Sequence, residues 1–199
     1  MITVEMETLR DLYIEELKDL YSAESQILKA LPKMIKKATN RELKKAFTDH
    51  ERVTKEHARR LERICRELGE RASGKKCKGM EGVIGDGKEL MEEDAEPEVM
   101  DAGLISAAQH VEHYEIAGYG TVRTYARELG YDDQANLLQR TLDEEKDADM
   151  LLTRLAEGSI NLQAEHPSGS ESSNGRKAAR GGGGARKGSA KRAHARSSR

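Results

Sequence analysis

HVEHYEIAGYG, residues 110–120, decides how this chain folds, because it sets two carboxylates and several polar rings in the middle of what otherwise reads as a core helix. Glu112 and Glu115 are three residues apart and so are neighbours on a helix surface. The apolar seam Leu104, Ala108, Val111, Val122, Leu129 passes through Glu115 at spacings of three, four or seven, so that carboxylate faces partner helices. An unpaired buried carboxylate costs several kcal/mol. Something cationic must stand opposite.

Outward from this stretch, Pro97 suits the first turn of a long helix that runs to Leu129 and stops at Gly130. A first helix over about Val4–Thr39 carries Leu9, Tyr13 or Leu12, Leu17, Leu20, Ile27, Leu31 and Met34 on one stripe, with Glu24 between Leu20 and Ile27. Pro32 is predicted to kink or divide it near Leu31. Asn40 caps a second helix bearing Leu43, Phe47, His50, Thr54, Leu61, Ile64 and Leu68, which Gly69 ends; His50 and His57 lie two turns apart on that side. Residues 70–79 read as a loop, and Met80–Glu93 as a short helix weakened by Gly82, Gly85 and Gly87. Asp132 is expected to cap the last long helix, whose stripe is Leu138, Leu142, Glu145, Asp149, Leu152 and Ala156, ending at Gly158. Short links join the first long helix to the second and the third to the fourth, with a crossover between. The fold class is all-α, a ferritin-like four-helix bundle with a short crossover helix between the second and third long helices.

Composition agrees with long helices and salt-laced surfaces: charged residues make up 35% of the chain, aromatics 4%, and Trp is absent. No apolar run approaches the roughly 20 residues that span a bilayer, and the N-terminus lacks a basic-then-apolar signal pattern, so a cytoplasmic protein with no membrane partner is expected. Cys65 and Cys77 are too few for a disulfide scaffold and do not form a CxxC pair, which makes them reduced thiols used in packing. The net charge of −2 hides a split. Nine of the 34 basic residues but one of the 36 acidic ones fall from Pro167 onward, which leaves that segment at +8 and the first 166 residues at −10. The chain is thus read as a bundle over residues 1–166 and a Gly, Ser, Ala, Arg and Lys tail over 167–199. The tail lacks the apolar residues that would offset its ordering entropy and is expected to be disordered.

Each long helix places a potential ligand on its apolar stripe: Glu24 on the first, His50 and His57 on the second, Glu112 and Glu115 on the third, and Glu145 and Asp149, with Glu144 beside them, on the fourth. Oxygen and imidazole donors projecting between helices suit iron or manganese, whereas thiolates would have pointed to zinc or iron–sulfur clusters. Glu24, His50, His57, Glu112, Glu115, Glu145 and Asp149 are therefore the candidate metal ligands. His113 is assigned to a solvated face. Tyr21, Tyr114, Tyr119 and Tyr125 are assigned to packing, with a tyrosine near the metals able to donate to a ligand.

DLYSAESQILKALPKM at 19–34, KKCKGMEG at 75–82, LISAAQHVEHYEIAGYG at 104–120 and TLDEEKDAD at 141–149 resemble the YciE/YciF family of ferritin-like stress-response proteins. The resemblance covers about residues 6–164. It implies a four-helix bundle that pairs into a homodimer and a dimetal carboxylate site like that of rubrerythrin; basic tails lie outside the shared domain. The wider ferritin-like pattern has a Glu-x-x-His pair on the second and fourth helices. Here Thr54 stands three before His57, Phe47 three before His50, and the fourth helix has no histidine, so Asp149 or Asp147 would have to substitute. Two metals in an altered shell, one metal, or none are all compatible with that departure.

Two functions follow. One is a metalloprotein whose iron or manganese, held as a pair, handles oxygen, peroxide or ferrous iron. The other is a non-enzymatic stress protein whose buried acids are closed by Arg, Lys and His and whose tail binds nucleic acid through Arg176, Lys177, Arg180, Arg186, Lys187, Lys191, Arg192, Arg196 and Arg199. With no aromatic residue to stack on bases, that tail could neutralise phosphates without reading sequence. The first helix and the short crossover helix are the expected homodimer face.

Overall fold

A computed structural model describes residues 6–168. The nine basic tail residues, the expected disorder from 169 onward and the expected helical start at Val4 lie outside the described residues. Every regular element among the described residues is helical.

Helix α1 spans Leu9–Lys37 and starts on a capping box in which Thr8 and Asp11 satisfy each other's backbone N–H groups. It continues unbroken through Pro32, which sits on the exposed face, so the expected division near Leu31 is corrected. Helix α2, Arg41–Glu67, is capped by Asn40 Oδ1, which accepts from Glu42 N at 2.9 Å and Leu43 N at 3.1 Å. Gly69 ends it with φ 80°, a left-handed conformation that costs other residues more than glycine. Helix α3, Lys78–Glu92, begins two residues earlier than the sequence suggests, because Cys77 Sγ accepts from Met80 N at 3.4 Å and fixes its first turn.

Helix α4, Pro97–Glu128, has its proline at the first position, and Gly130 follows with φ 75°. Buried Asp101 on α4 accepts from Thr39 N at 2.8 Å, Asn40 N at 2.8 Å and Thr39 Oγ1 at 2.6 Å, which ties the α1–α2 link to α4. Helix α5 is Asp132–Leu155. Tyr131 holds its cap position without a side-chain hydrogen bond, so Asp132 is the first helical residue and not the cap; there its charge still suits the positive end of the helix dipole. The chain does not stop at Gly158 either. A π-helical turn over Ala156–Ile160 leads into a short α6, Asn161–Glu165, and buried Ile160 gives the continuation an apolar anchor.

Helix α1 packs on α2 and α4, α5 packs on α4 and α2, and α3 lies on α1 and α4. The core falls into two apolar clusters. One gathers Ile27, Leu31, Phe47, Leu104 and Leu152, the other Tyr13, Leu17, Leu61, Tyr119 and Leu138. On each long helix an acid or a histidine sits at or beside the boundary between the two clusters. Glu24 falls between Leu20 and Ile27, His50 and His57 between Phe47 and Leu61, Glu112 and Glu115 between Ala108 and Tyr119, and Glu145 between Leu142 and Leu152. Each fully buried large apolar side chain contributes about 1.5–3 kcal/mol, and this burial on both sides offsets the cost of the polar layer between.

Candidate metal centre

The four long helices bring six of the seven candidate ligands into two groups that share Glu145. His50, Glu112, Glu115 and Glu145 form one, Glu24, His57 and Glu145 the other, and within each group one donor atom per residue lies within 4.8 Å of all the rest. His57 Nδ1 stands 2.7 Å from Glu145 Oε1 and 3.5 Å from Glu24 Oε1. His50 Nε2 stands 3.4 Å from Glu112 Oε1 and 3.9 Å from Glu145 Oε2. Glu24, His57, Glu115 and Glu145 are 0% exposed.

Close approach here leaves many atoms without a hydrogen bond. Glu24 Oε2, His50 Nε2, His57 Nδ1, Glu112 Oε2 and both oxygens of Glu115 and Glu145 are buried without a hydrogen-bond partner among the described residues. Eight buried atoms without a hydrogen bond converging in one layer are far outside the usual satisfaction of buried polar groups.

Around this layer the outer contacts are complete. Arg60 donates Nη1–H to Glu144 Oε2 at 2.5 Å and Nη2–H to Glu144 Oε1 at 3.1 Å, and Arg140 adds a 3.1 Å bond to the same carboxylate. Glu144 Oε2 in turn lies 2.9 Å from His57 Nε2. A carboxylate only accepts, so Nε2 carries the hydrogen and Nδ1 is the atom presented to the centre. Tyr119 donates its hydroxyl to Glu24 Oε1, and its ring sits edge-on to His57 at a centroid distance of 6.2 Å.

The electrostatics record a shortage of positive charge. Burial, and then the surrounding carboxylates, push Glu112 and Glu115 well above the usual carboxylate range. Burial likewise drives Glu24 to about 8, against the opposing pull of His57. Burial also works against the His57 imidazolium, but Glu145, Glu24 and Glu144 outweigh it and raise that group to about 9. His50 is lowered by burial. Glu145 falls below its ordinary value because the two histidines overcome its desolvation. Glu144, burial notwithstanding, is held at about 2 by Arg60, His57 and Arg140. Without a metal, His57 and Glu145 thus form an ion pair, while burial favours the protonated forms of Glu24, Glu112 and Glu115.

Asp149 stands outside both groups. Its Oδ1 accepts from Gln109 Nε2 at 3.0 Å and lies 3.4 Å from His113 Nε2, while Asp147 is exposed, so neither supplies the missing histidine of the fourth long helix. Both histidines come from α2 instead, one to each group. Sequence reasoning passed over Arg60, and it left Tyr119 to packing and Glu144 among the alternatives. The spacing His57, Arg60 on α2 and the adjacency of Glu144 to Glu145 were the signals that could have exposed the chain of contacts behind His57. Cys65 and Cys77 are buried, free thiols outside the groups.

Fold and site together define an all-helical protein with a buried carboxylate–histidine cluster of a composition that could hold metal ions. Residues 8–165 match the domain of unknown function DUF892, and the chain belongs to that family. It is 44% identical over 122 residues to Protein YciF of Escherichia coli K12, a stretch that covers 61% of this chain and 74% of that one. The structure of the E. coli stress protein YciF aligns with a TM-score of 0.75 at 43% identity over 78% of this chain and 99% of that chain. YcfI from Rhodopseudomonas palustris aligns with a TM-score of 0.74 at 42% identity over 77% and 98%. A Xanthomonas campestris protein at 19% identity, TM-score 0.62, shares the fold.

Proposed function

We propose that this protein is a cytoplasmic stress protein whose ferritin-like four-helix bundle, residues 1–166, holds a pair of iron or manganese ions and handles oxygen, peroxide or ferrous iron. The observation that carries the reading is the set of orphaned buried oxygens and nitrogens on Glu24, His50, His57, Glu112, Glu115 and Glu145. In a dry interior such atoms are costly unless a cation collects them. Charge supports the same reading: the four carboxylates of the two groups would balance two divalent ions, with both imidazoles neutral.

Glu24 and His57 would hold one ion, His50, Glu112 and Glu115, the last with two unpartnered oxygens, would hold the other, and Glu145, common to both groups, would be shared. Such ions supply redox chemistry toward dioxygen and peroxide when bound. The chain supplies the rest. Arg60 holds Glu144, Glu144 holds the His57 Nε2–H, and His57 Nδ1 is thereby fixed as the donor. Tyr119 orients Glu24. The apolar clusters pack on both sides of the layer.

The decisive experiment compares metal content of wild type and Glu115→Ala after growth in iron- or manganese-supplemented medium. Wild type is expected to carry close to two ions per chain and the variant to lose most of them. Equal, near-zero content in both would sink the reading.

A further inference from the structure

Beside the polar layer, a cavity of about 230 Å³ opens to the surface among α1, α2, α3 and α4. Its lining is mainly apolar and includes Met34, Phe47, Ile84, Met91 and Val111. Its inner end reaches His50 and Glu112, and exposed Lys29, Lys33 and Lys88 stand on its lining at the outer side. Lys88 lies 3.6 Å from Glu92, but Lys29 and Lys33 have no ion-pair partner among the described residues. They are one turn apart on α1, where like charges repel. An apolar chamber with unbalanced positive charge at its mouth selects a ligand that is anionic at one end and apolar along its length.

We propose that this chamber binds a short-chain organic carboxylate, its head group at Lys29 and Lys33 and its hydrocarbon end toward His50 and Glu112. Size argues for a short chain. A cavity of ~150 Å³ accepts benzene, so by proportion this one takes about eight or nine non-hydrogen atoms, and it is smaller than the usual range for drug-sized ligands. The reverse orientation would take the carboxylate away from the lysines. A basic peptide segment is disfavoured by the same charges.

The test titrates the full-length protein at low salt with hexanoate, hexanol and hexylammonium, following chemical shifts and heat. Hexanoate is expected to bind at least about tenfold tighter than hexylammonium, with hexanol between them. Two exposed charges contribute modestly, so Lys29→Ala/Lys33→Ala should weaken hexanoate about three- to tenfold and leave hexanol within about twofold. Ala30→Phe, at a partly exposed position on the lining, should block all three ligands while circular dichroism shows the helices intact. Hexylammonium binding as tightly as hexanoate, or unchanged hexanoate binding in a folded Ala30→Phe protein, overturns the proposal, as does the absence of hexanoate binding to wild type. Iron uptake measured on the same samples separates the two readings: a chain that binds hexanoate but takes up no metal keeps this site and loses the centre proposed above.

Discussion

Replacing Glu115 with methionine should stabilise the metal-free protein and abolish its stabilisation by metal. Both Glu115 oxygens are fully buried and unpartnered, and each such atom costs about 1–3 kcal/mol in protein interiors. Methionine keeps the approximate volume and removes both, for a net gain of about 2–4 kcal/mol. In a chain of this size each kcal/mol moves the midpoint by about 2–4 °C, so metal-free Glu115→Met should melt about 4–16 °C higher than metal-free wild type. The gain should grow with pH. Burial, then Glu24, Glu145 and Glu112, raise the folded-state pKa of Glu115, so the folded protein keeps a proton that the unfolded chain releases above about 4.5. That contribution is fully present below pH 4.5 and is lost as pH climbs through the folded value; for Glu24 the same loss runs from about 4.5 to about 8. Added metal should reverse the ranking, since a ligand at a hundred times its Kd adds about 2.7 kcal/mol per site to wild type alone. Differential scanning calorimetry at pH 5 and 8, with a chelator and with manganese, reads all of this. A metal-free Glu115→Met protein that melts below wild type at both pH values would refute the account of the buried layer as a cost carried for a cation.

Asp101→Asn should cost about 2–4 kcal/mol in chemical denaturation, because at least one of the three donors from Thr39 and Asn40 would face an amide N–H and remain buried without an acceptor; a loss under about 1 kcal/mol would mean that water replaces it. Arg60→Gln should weaken metal binding about 10–100-fold by freeing Glu144 and hence the His57 ring. It should also move acid unfolding to higher pH. Glu144, held at about 2, contributes stability that is present above about 4.5 and lost as pH falls through 2, and the variant forfeits it sooner; an unchanged acid midpoint counts against this. We propose that the chain is a homodimer, so light scattering at micromolar concentration should give twice the 22.1 kDa chain mass, and a monomer mass ends that proposal. For the basic tail, affinity for duplex DNA should fall with log salt at a slope of roughly 4–7, about 0.9 per phosphate for five to eight contacts, independent of sequence. A chain ending at Pro167 should lose that binding and keep its helices; equal DNA affinity with and without the tail would eliminate the role.

What the sequence alone determined is the set of periodic facts. Stripes at three and four residues located the helices, Asn40, Gly69, Pro97 and Gly130 marked ends that depend on local backbone chemistry, and the interruption of each stripe by an acid or histidine placed a polar layer at mid-helix. Local rules misplaced the ends at Asp132 and Gly158, where packing of Ile160 carried the helical chain onward against the glycine signal. Only the tertiary structure decided which polar residues meet. Asp149 lies on the predicted stripe of the fourth long helix, yet it turns to Gln109, while Glu145 one turn earlier sits in both groups. The contacts from Arg60 through Glu144 to His57 span 84 and 87 residues of chain. Helical periodicity says which face a side chain occupies but not its height against a neighbouring helix, and that axial register, fixed here by the two apolar clusters, converts six scattered ligand-type residues into one centre.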